Sequence, residues 1–383
     1  MILDIQSTSA PRGTTSRKGF FPPVNLLDAT SAERHDGFAT AFMAEGEEAE
    51  VHGFLMNHPQ VTFCHHPGWV KVLQEAYGKQ VRFLLLRSSD GVLTGVVPIV
   101  DLSSWIFGRQ WVSLPYQDYG GPLASSPVAE SVLVDALKHE AVIRGCRLDI
   151  RCGNPLTSYY PAPVNDKVAM TLSLEGLTEQ VYWKKLNAQV RNQVRKAEKS
   201  QVTLKRGGLD QLDAFYSIFC ENSRNLGSPV HSRRFFESTL KNIPGTEIVT
   251  AWREGRCIGG LVRIRFQGTL AIPWAATLKE ERIHCANNAM YYDSICMAFR
   301  DGFNKVDFGR STRGEGTFRY KAQWLAQASP LPWYQFDVKG RALDQLTHAK
   351  SSLGLRLVSQ LWSKMPLSLA NRLGPSLRPT LAA

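Results

Sequence analysis

Apolar positions along the chain recur with two spacings, and the switches between them mark out the elements. Trp69, Val70, Leu73 and Tyr77 step by three and four, which predicts a helix over 69–77 with Pro67 at its start. Val61-Thr62-Phe63 before it has the composition of a short strand. Val81 to Leu86 and Val92 to Val100 are apolar runs of strand length. Ser88-Ser89-Asp90-Gly91 between them predicts a hairpin turn, because Asp-Gly accepts positive φ. A strand at 111–114, a tight loop at 118–122, an amphipathic helix over 128–144 and a strand at 147–151 complete a mixed α/β unit. Residues 32–56 mix many charges with few apolar positions and are expected to form one helix.

Pro155 to Pro163, with three prolines and two tyrosines, is a natural boundary. Beyond it the same order returns. The pattern predicts a strand at 170–174, helices over 178–199, 209–226 and 232–240, strands at 247–253, 256–266 and 269–276, a helix over 286–303 and a strand at 305–308. Both halves thus run from helix through an antiparallel hairpin to a long helix and a last strand. The expected organisation is a disordered Ser/Thr/Pro/Gly-rich segment at 1–22, a first domain at 23–163, a second at 164–340 and a tail at 341–383. The fold class is α/β (α+β), built from mixed, mostly antiparallel sheets flanked by helices.

The tail changes the electrostatic picture. From Arg341 onward six Lys or Arg residues face one Asp, and Leu346, Leu353, Leu357, Leu361, Trp362, Met365 and Leu369 form an apolar stripe. Such a stripe docks on its own domain or lies on an anionic membrane surface. The whole chain of 383 residues carries a net charge of +11, with a pI near 9.3. That balance favours anionic partners: RNA, phosphorylated or nucleotide-linked substrates, coenzyme A-type donors, or acidic lipid. The seven cysteines are scattered without a Cys-x-x-Cys pair, so no disulfide framework and no zinc site is expected. No stretch has the length and apolarity of a signal peptide core or a membrane span, and a cytoplasmic location, with peripheral contact at the inner membrane surface through the tail, is expected.

Four stretches carry candidate chemistry. On the helix expected over 181–199, Trp183, Leu186, Val190, Val194 and Ala197 share one face, and Lys184, Arg191 and Arg195 flank it about 100° away. That basic stripe either lines a groove for phosphates or is a solvated face. In Asn222 to Ser232, Gly227 and Ser232 serve as helix stop and cap, which leaves Arg224 and His231 as polar residues available to a ligand. Asn287 opens the helix over 286–303, whose N-terminus attracts anions. The most concentrated signal is Asp307 to Lys321, with three glycines, three arginines, three hydroxyls of Ser and Thr, and a terminal lysine. Gly309, Gly314 and Gly316 let the backbone approach a ligand closely, and Arg310, Arg313 and Arg319 can neutralise phosphate. Ser311, Thr317 and Tyr320 add hydroxyl donors. If 317–324 is a short helix, Lys321 points back toward the strand end at Asp307.

These residues, as a set, resemble the FemAB-like branch of the GNAT superfamily, in particular the group encoded beside exosortase/PEP-CTERM exopolysaccharide systems. The resemblance rests on Trp183 with Arg191 to Ala197, on Asn225 to Val230, on Val306 to Ser311 and on Gly316 to Lys321. His66-Pro67-Gly68-Trp69, Leu114-Pro115 and Asp118 to Leu123 extend it into the first half, so that it covers roughly 55–340. It implies tandem GNAT-like domains with the reaction groove between them. It also implies transfer of an acyl or aminoacyl group to an amine, with no tightly bound cofactor and with acyl-CoA or aminoacyl-tRNA as donor. The acceptor implied is an amine of a cell-surface polysaccharide or peptidoglycan precursor. Lys321, in Tyr320-Lys321 where the family has Phe-Lys, inherits stabilisation of the oxyanion, and Asp307 is the candidate base. Ordinary coenzyme A-using relatives place a glycine-rich run where this chain has Ile283 to Asn288, which contains no glycine. The competing readings are a non-catalytic RNA-binding module and a membrane-surface scaffold.

Overall fold

Gly91 takes up the turn at a φ of +84°, and the two apolar runs on either side pair antiparallel as β3 (Val81–Ser88) and β4 (Leu93–Asp101). Around this hairpin the computed structural model builds the first of two sheets. The structure describes residues 33–35, 37–102, 104, 108–156, 166–343 and 352–381. The expectations for 1–22 and for most of the boundary at 155–163 lie outside them.

The first sheet runs β1 (Glu33–His35), β2 (Phe38–Phe42), β3, β4, β5 (Gln110–Val112), β7 (Arg147–Arg151) and β15 (Trp333–Phe336), with β6 (Leu123–Ala124) paired to β4. Among its described strands only β5 and β7 are parallel neighbours. The second sheet runs β14 (Gln327–Pro330), β8 (Lys167–Ser173), β13 (Lys305–Thr312), β12 (Thr269–Thr277), β11 (Arg256–Phe266), β10 (Thr246–Arg253) and β9 (Thr203–Gly207). Here β12 and β13 are the parallel pair. Helices α1 (Glu48–Asn57), α2 (Gly68–Tyr77) and α3 (Pro127–Ile143) accompany the first sheet. Those of the second are α4 (Glu179–Lys185), α5 (Ala188–Lys199), α6 (Leu209–Asn225), α7 (Arg233–Asn242), α8 (Ala286–Arg300) and α9 (Gly316–Ala322). The tail forms α10 (Ser352–Ser363) and α11 (Leu367–Leu377). Two mixed, mostly antiparallel sheets flanked by helices are what the order of elements predicts.

The helices begin where short polar side chains can satisfy free backbone N–H groups. Ser126 caps α3 through the Ala129 N–H, and Ser232 caps α7 through the Phe235 N–H. Each half has its own core, around Leu133, Leu137 and Trp111 in the first and around Met290, Ile295 and Trp324 in the second. A third cluster joins them: Phe63, Trp69 and Leu73 pack with Phe215, Phe235 and Phe236. Trp69 stacks on Phe235 at 6.1 Å and meets Trp274 edge-on at 6.5 Å. Fully burying one such ring contributes about 1.5–3 kcal/mol, so the two halves form a common core rather than a hinge.

Several expectations are corrected. Residues 32–56 are not one helix. Phe38, Thr40 and Phe42 alternate, and they make β2, paired to β3, before α1 begins. Phe63–His65 is a 3-10 turn instead of a strand, because the Thr62 hydroxyl meets His65 Nδ1 at 3.0 Å and the Trp69 indole donates to the Phe63 carbonyl at 2.8 Å. The helix over 178–199 breaks at Leu186-Asn187, where Asn187 caps α5 through the Gln189 N–H. Strands β9, β14 and β15 are additional, and β15, within the segment expected to belong to the second domain, pairs with β7 of the first sheet.

Candidate active site

The parallel pair β12–β13 holds together only from Thr269 to Ala271 against Lys305 to Asp307. On its other side β13 pairs with β8 through Asp307–Thr171 and resumes at Arg310–Ala169, one extra residue on β13. This bulge, with Gly309 at φ +69°, lets β13 part from β12 and opens the sheet. Gly309 is needed twice over: an added Cβ would be strained at that φ and would lie 3.2 Å from Asp118 Oδ2.

Asp307 is the last residue before the bulge, and its neighbours Val306 and Phe308 face the core of the second half, so its carboxyl faces the other way, toward the first half. It is buried. Its Oδ1 accepts the Gly309 N–H at 2.8 Å, and the Tyr119 hydroxyl donates to it as well. Burial pushes the Asp307 carboxyl above its ordinary value, against the pull of those hydrogen bonds. Asp118, next to Tyr119, accepts the Arg310 N–H at 2.8 Å. From α9, Lys321 Nζ donates to the carbonyls of Gly309 at 3.2 Å and Arg310 at 2.8 Å. Burial pulls the Lys321 ammonium down to about 8, with Asp118 and Asp307 acting in the opposite sense. An ammonium has three donors; among the described residues two are engaged, and one is left for a substrate oxygen.

Asp307 and Lys321 line the same cavity, about 240 Å³ in volume. Its other walls come from the 116–119 loop, Arg151, Ser223 near the end of α6, the α6–α7 connection with Ser228 and His231, Trp274 on β12, and Arg378 from the end of the tail. Leu114 and Tyr116 in the 113–121 loop hold positive φ of 118° and 68°. Non-glycine residues hold such values only where the surroundings enforce them. Trp333, delivered by β15, donates its indole N–H to the Asp118 carbonyl at 3.0 Å. The guanidiniums of Arg151 and Arg310 lie 4.4 and 4.6 Å from its ring. Asp307 and Tyr119 also border a second cavity, of about 320 Å³, lined as well by His65, Glu130 and Thr171.

A carboxyl raised by burial and an ammonium lowered toward neutrality, facing one cavity, are suited to moving a proton and holding a developing negative charge. Of the residues expected to form the site, Asp307, Arg310, Lys321 and His231 meet there. His231 is buried and neutral. Arg378 Nε donates to its Nε2 at 3.1 Å, which leaves Nδ1 to carry the proton and donate to Tyr77 Oη at 2.6 Å. Burial lowers its pKa accordingly.

The other expected residues do not line this cavity. Arg191 donates to the carbonyls of Lys184 and Leu186 and closes the end of α4. Lys184 is exposed, and Arg195 lies over the Trp183 ring at 5.6 Å. Arg224 donates to the Ser363 carbonyl of the tail. Asn287 accepts from the Thr277 hydroxyl. Ser311 is buried beside β8, while Arg313, Gly316 and Thr317 are exposed. Arg319 donates to the Gly314 carbonyl. Tyr320 packs edge-on against Tyr291 at 5.2 Å, on the core side of α9. The cavity wall beside Asp307 and Lys321 is therefore the 116–119 loop with Arg151 and Arg378, and Lys184, Arg191 and Arg195 are not part of it. In the sequence, Asp118 to Pro122 reads as a tight loop within the stretch that carries the family resemblance, and nothing local marks Arg151, Trp333 or Arg378.

Among the described residues no cluster of His, Cys, Asp and Glu could hold a metal ion, and no helix is long and apolar enough to cross a membrane. Residues 184–322 match the model of the acetyltransferase (GNAT) domain family. The crystal structure of FemX superposes with a TM-score of 0.58 at 13% identity, over 81% of this chain and 99% of that one. A tandem GNAT protein from the clavulanic acid biosynthesis pathway gives 0.53 at 10% identity, over 79% and 98%. L-PGS from Bacillus licheniformis gives 0.50 at 13%, over 83% and 97%. No curated protein matches the sequence. At these identities the likeness is one of fold: two GNAT-like domains in tandem.

Proposed function

We propose that the protein is an N-acyltransferase of the FemAB/GNAT type. In this reading it transfers an acyl or aminoacyl group to an amine of a cell-surface polysaccharide or peptidoglycan precursor, in exopolysaccharide assembly of the PEP-CTERM kind. The observation that carries the reading is the meeting of Asp307 and Lys321 at the opening between β12 and β13. The amine nitrogen attacks the carbonyl carbon of a thioester or ester, and its proton passes to the Asp307 carboxylate, whose raised pKa suits it to accept one. The carbonyl oxygen gains the negative charge and takes the free N–H of Lys321. Collapse re-forms the carbonyl and breaks the C–S or C–O bond, and the leaving thiolate or alkoxide takes the proton that Asp307 received, which restores the carboxylate. Asp307 borders both cavities, so donor and acceptor can approach it from different sides.

The test offers the purified protein acyl-CoAs and charged tRNA in parallel with amine acceptors. Acceptor-dependent release of thiol or loss of aminoacyl-tRNA identifies the donor class. Absence of both, or equal turnover by Lys321→Met, sinks the reading.

A second observation favours a membrane-surface setting for this chemistry. Helices α10 and α11 bury Trp362, Ala370 and Gly374 against the body, yet turn Leu357, Val358, Leu361, Leu369, Leu373 and Leu377 outward. Lys364 and Arg372 lie among them, and residues 352–381 contain no Asp or Glu. An apolar ridge edged only by cations fits an anionic lipid surface. Flotation with phosphatidylglycerol vesicles is expected for the full chain and not for Leu361→Asp/Leu369→Asp; flotation of both rules this setting out.

A further inference from the structure

The loop 113–121 keeps a costly backbone conformation around one tyrosine. Leu114 and Tyr116 hold positive φ without being glycine. At Gly120, with φ +133°, an added Cβ would lie 2.6 Å from that of Leu114. Contacts pin the loop on either side of Tyr119. The Gln117 carbonyl accepts from Arg151 at 3.1 Å. The Asp118 carboxylate accepts the Arg310 N–H at 2.8 Å, and the Asp118 carbonyl accepts the Trp333 indole N–H at 3.0 Å. His65, whose Nδ1 accepts the Thr62 N–H at 3.2 Å, donates from Nε2 to the Gly121 carbonyl at 3.2 Å.

What the pinned loop presents is the Tyr119 side chain. It is buried, and its ring lies so close to Gly153 that a Cβ added there would meet Cδ1 at 3.3 Å. Its hydroxyl donates to the Asp307 carboxyl. Among the described residues, Tyr119 and Asp307 alone border both cavities. The carboxyl thus has one donor on its own strand, the Gly309 N–H at 2.8 Å, and one from the first half. Lys321 donates to backbone carbonyls instead. The other titratable groups that face the pair are Asp118 on the same loop, Lys305 along β13, Lys321 from α9 and Cys64 from the 3-10 turn. Arg310, His65 and Glu130 stand in the walls of the two cavities.

We infer that Tyr119 is the positioning residue of this site: its hydroxyl holds the Asp307 carboxylate, as an anion, where it takes the proton of the attacking amine. The inference deepens the acyl-transfer reading and rests on it for the source of that proton. A hydroxyl bonds a carboxylate more strongly than a carboxylic acid, so it favours the anion against the burial that opposes it. A carboxyl already protonated in the resting protein could accept nothing from a substrate. Tyr119 keeps its own proton throughout, because burial and the carboxylates of Asp307 and Asp118 raise its pKa.

Tyr119→Phe keeps the ring and removes the oxygen. The acid-side midpoint of the kcat/KM profile, where Asp307 gains its proton in the free protein, is expected to move up by about one pH unit, a tenfold change in proton affinity. A tyrosine that only supported the loop would lower the rate at every pH and leave the midpoint in place. Tyr182→Phe removes another buried hydroxyl, one that donates to the Trp324 carbonyl at 3.1 Å in the second core, and is expected to leave the midpoint unchanged. The pair is also read without turnover. Stability declines as pH rises between the unfolded and the raised folded pKa of Asp307, and in Tyr119→Phe this decline should extend to higher pH in denaturant melts. Tyr119→Phe combined with Asp307→Asn should show no such decline. A midpoint that stays in place in Tyr119→Phe, or moves equally in Tyr182→Phe, overturns the inference. So does a stability window that moves while the kinetic midpoint does not, because the carboxyl is then not the group that takes the proton. A moved stability window in a protein that transfers no acyl group refutes the proposed function and leaves the Tyr119–Asp307 pair standing. Acyl transfer with both readouts unmoved refutes the role of Tyr119 alone.

Discussion

The backbone N–H of Arg310 donates to the carboxylate of Asp118 at 2.8 Å, across 192 residues of chain. This bond ties the loop of the first sheet to the bulge of the second, directly beside the carbonyls that hold Lys321. Asp118→Ala leaves that N–H without its acceptor, which costs about 1–3 kcal/mol. The expected outcome is a lowered melting temperature together with a loss in kcat larger than any change in KM. A variant with unaltered kcat would show that the bulge holds its shape without the loop.

Lys321→Met is expected to lower kcat by about a hundredfold to a thousandfold, the effect of removing one oxyanion donor, with little change in far-ultraviolet circular dichroism. The pH dependence has a definite sign. Because burial brings the ammonium to about 8, the cation is present below that pH and is lost above it. The kcat profile of the unaltered protein should fall on the alkaline side with a midpoint near 8, and a profile still rising at pH 9 would remove Lys321 from the oxyanion role.

For Asp307→Asn, activity and stability should move apart. The amide keeps an acceptor oxygen for the Gly309 N–H but cannot take a proton, so kcat should fall about a hundredfold or more. In the unaltered protein the folded-state pKa is raised above 3.8 by burial. The folded state then binds more protons than the unfolded one between that value and the raised one, and stability declines as pH rises through this window. The variant should lack this decline and be at least as stable at neutral pH. Denaturant melts at pH 4 and pH 7 on both proteins decide it; a variant markedly less stable at pH 7 contradicts the burial argument.

Arg191→Ala should behave in the opposite way. Its guanidinium binds the carbonyls that end α4, and their loss should cost roughly 1 kcal/mol, seen as a lower denaturation midpoint, with kcat/KM unchanged. A selective rise in KM for a phosphorylated donor would return Arg191 to the ligand-binding role that the basic stripe suggests.

The contrast between Arg191 and Arg378 shows what was legible. The spacing that puts Arg191 beside Lys184 and Arg195 assumes one continuous helix, and Asn187 breaks it by capping a new one. Arg378 sits in a tail whose apolar stripe left docking and a membrane surface both open, and in the structure the tail packs on the body: Arg224 holds the Ser363 carbonyl, and Gly227, at φ +71°, packs against Ser359 where any side chain would collide. No local pattern says where such a stripe will land. Lys321 and Asp307 were readable because a strand, a bulge glycine and one short helix determine their geometry within fifteen residues.

The sequence by itself determined the order of elements, the hairpin at Gly91, the capped helices and the local loop from Asp307 to Lys321. Each of these depends on periodicity or on backbone preferences that act over a few residues. Only the tertiary structure decided that β15 returns to the first sheet with Trp333, and that Asp118, Arg151 and Arg378 converge on the same cavity. The physical reason is that these placements follow from burying a common core built around Trp69, Phe215 and Phe235. Burial of that kind rewards contacts between residues hundreds of positions apart without prescribing, in any one segment, which partner will be met.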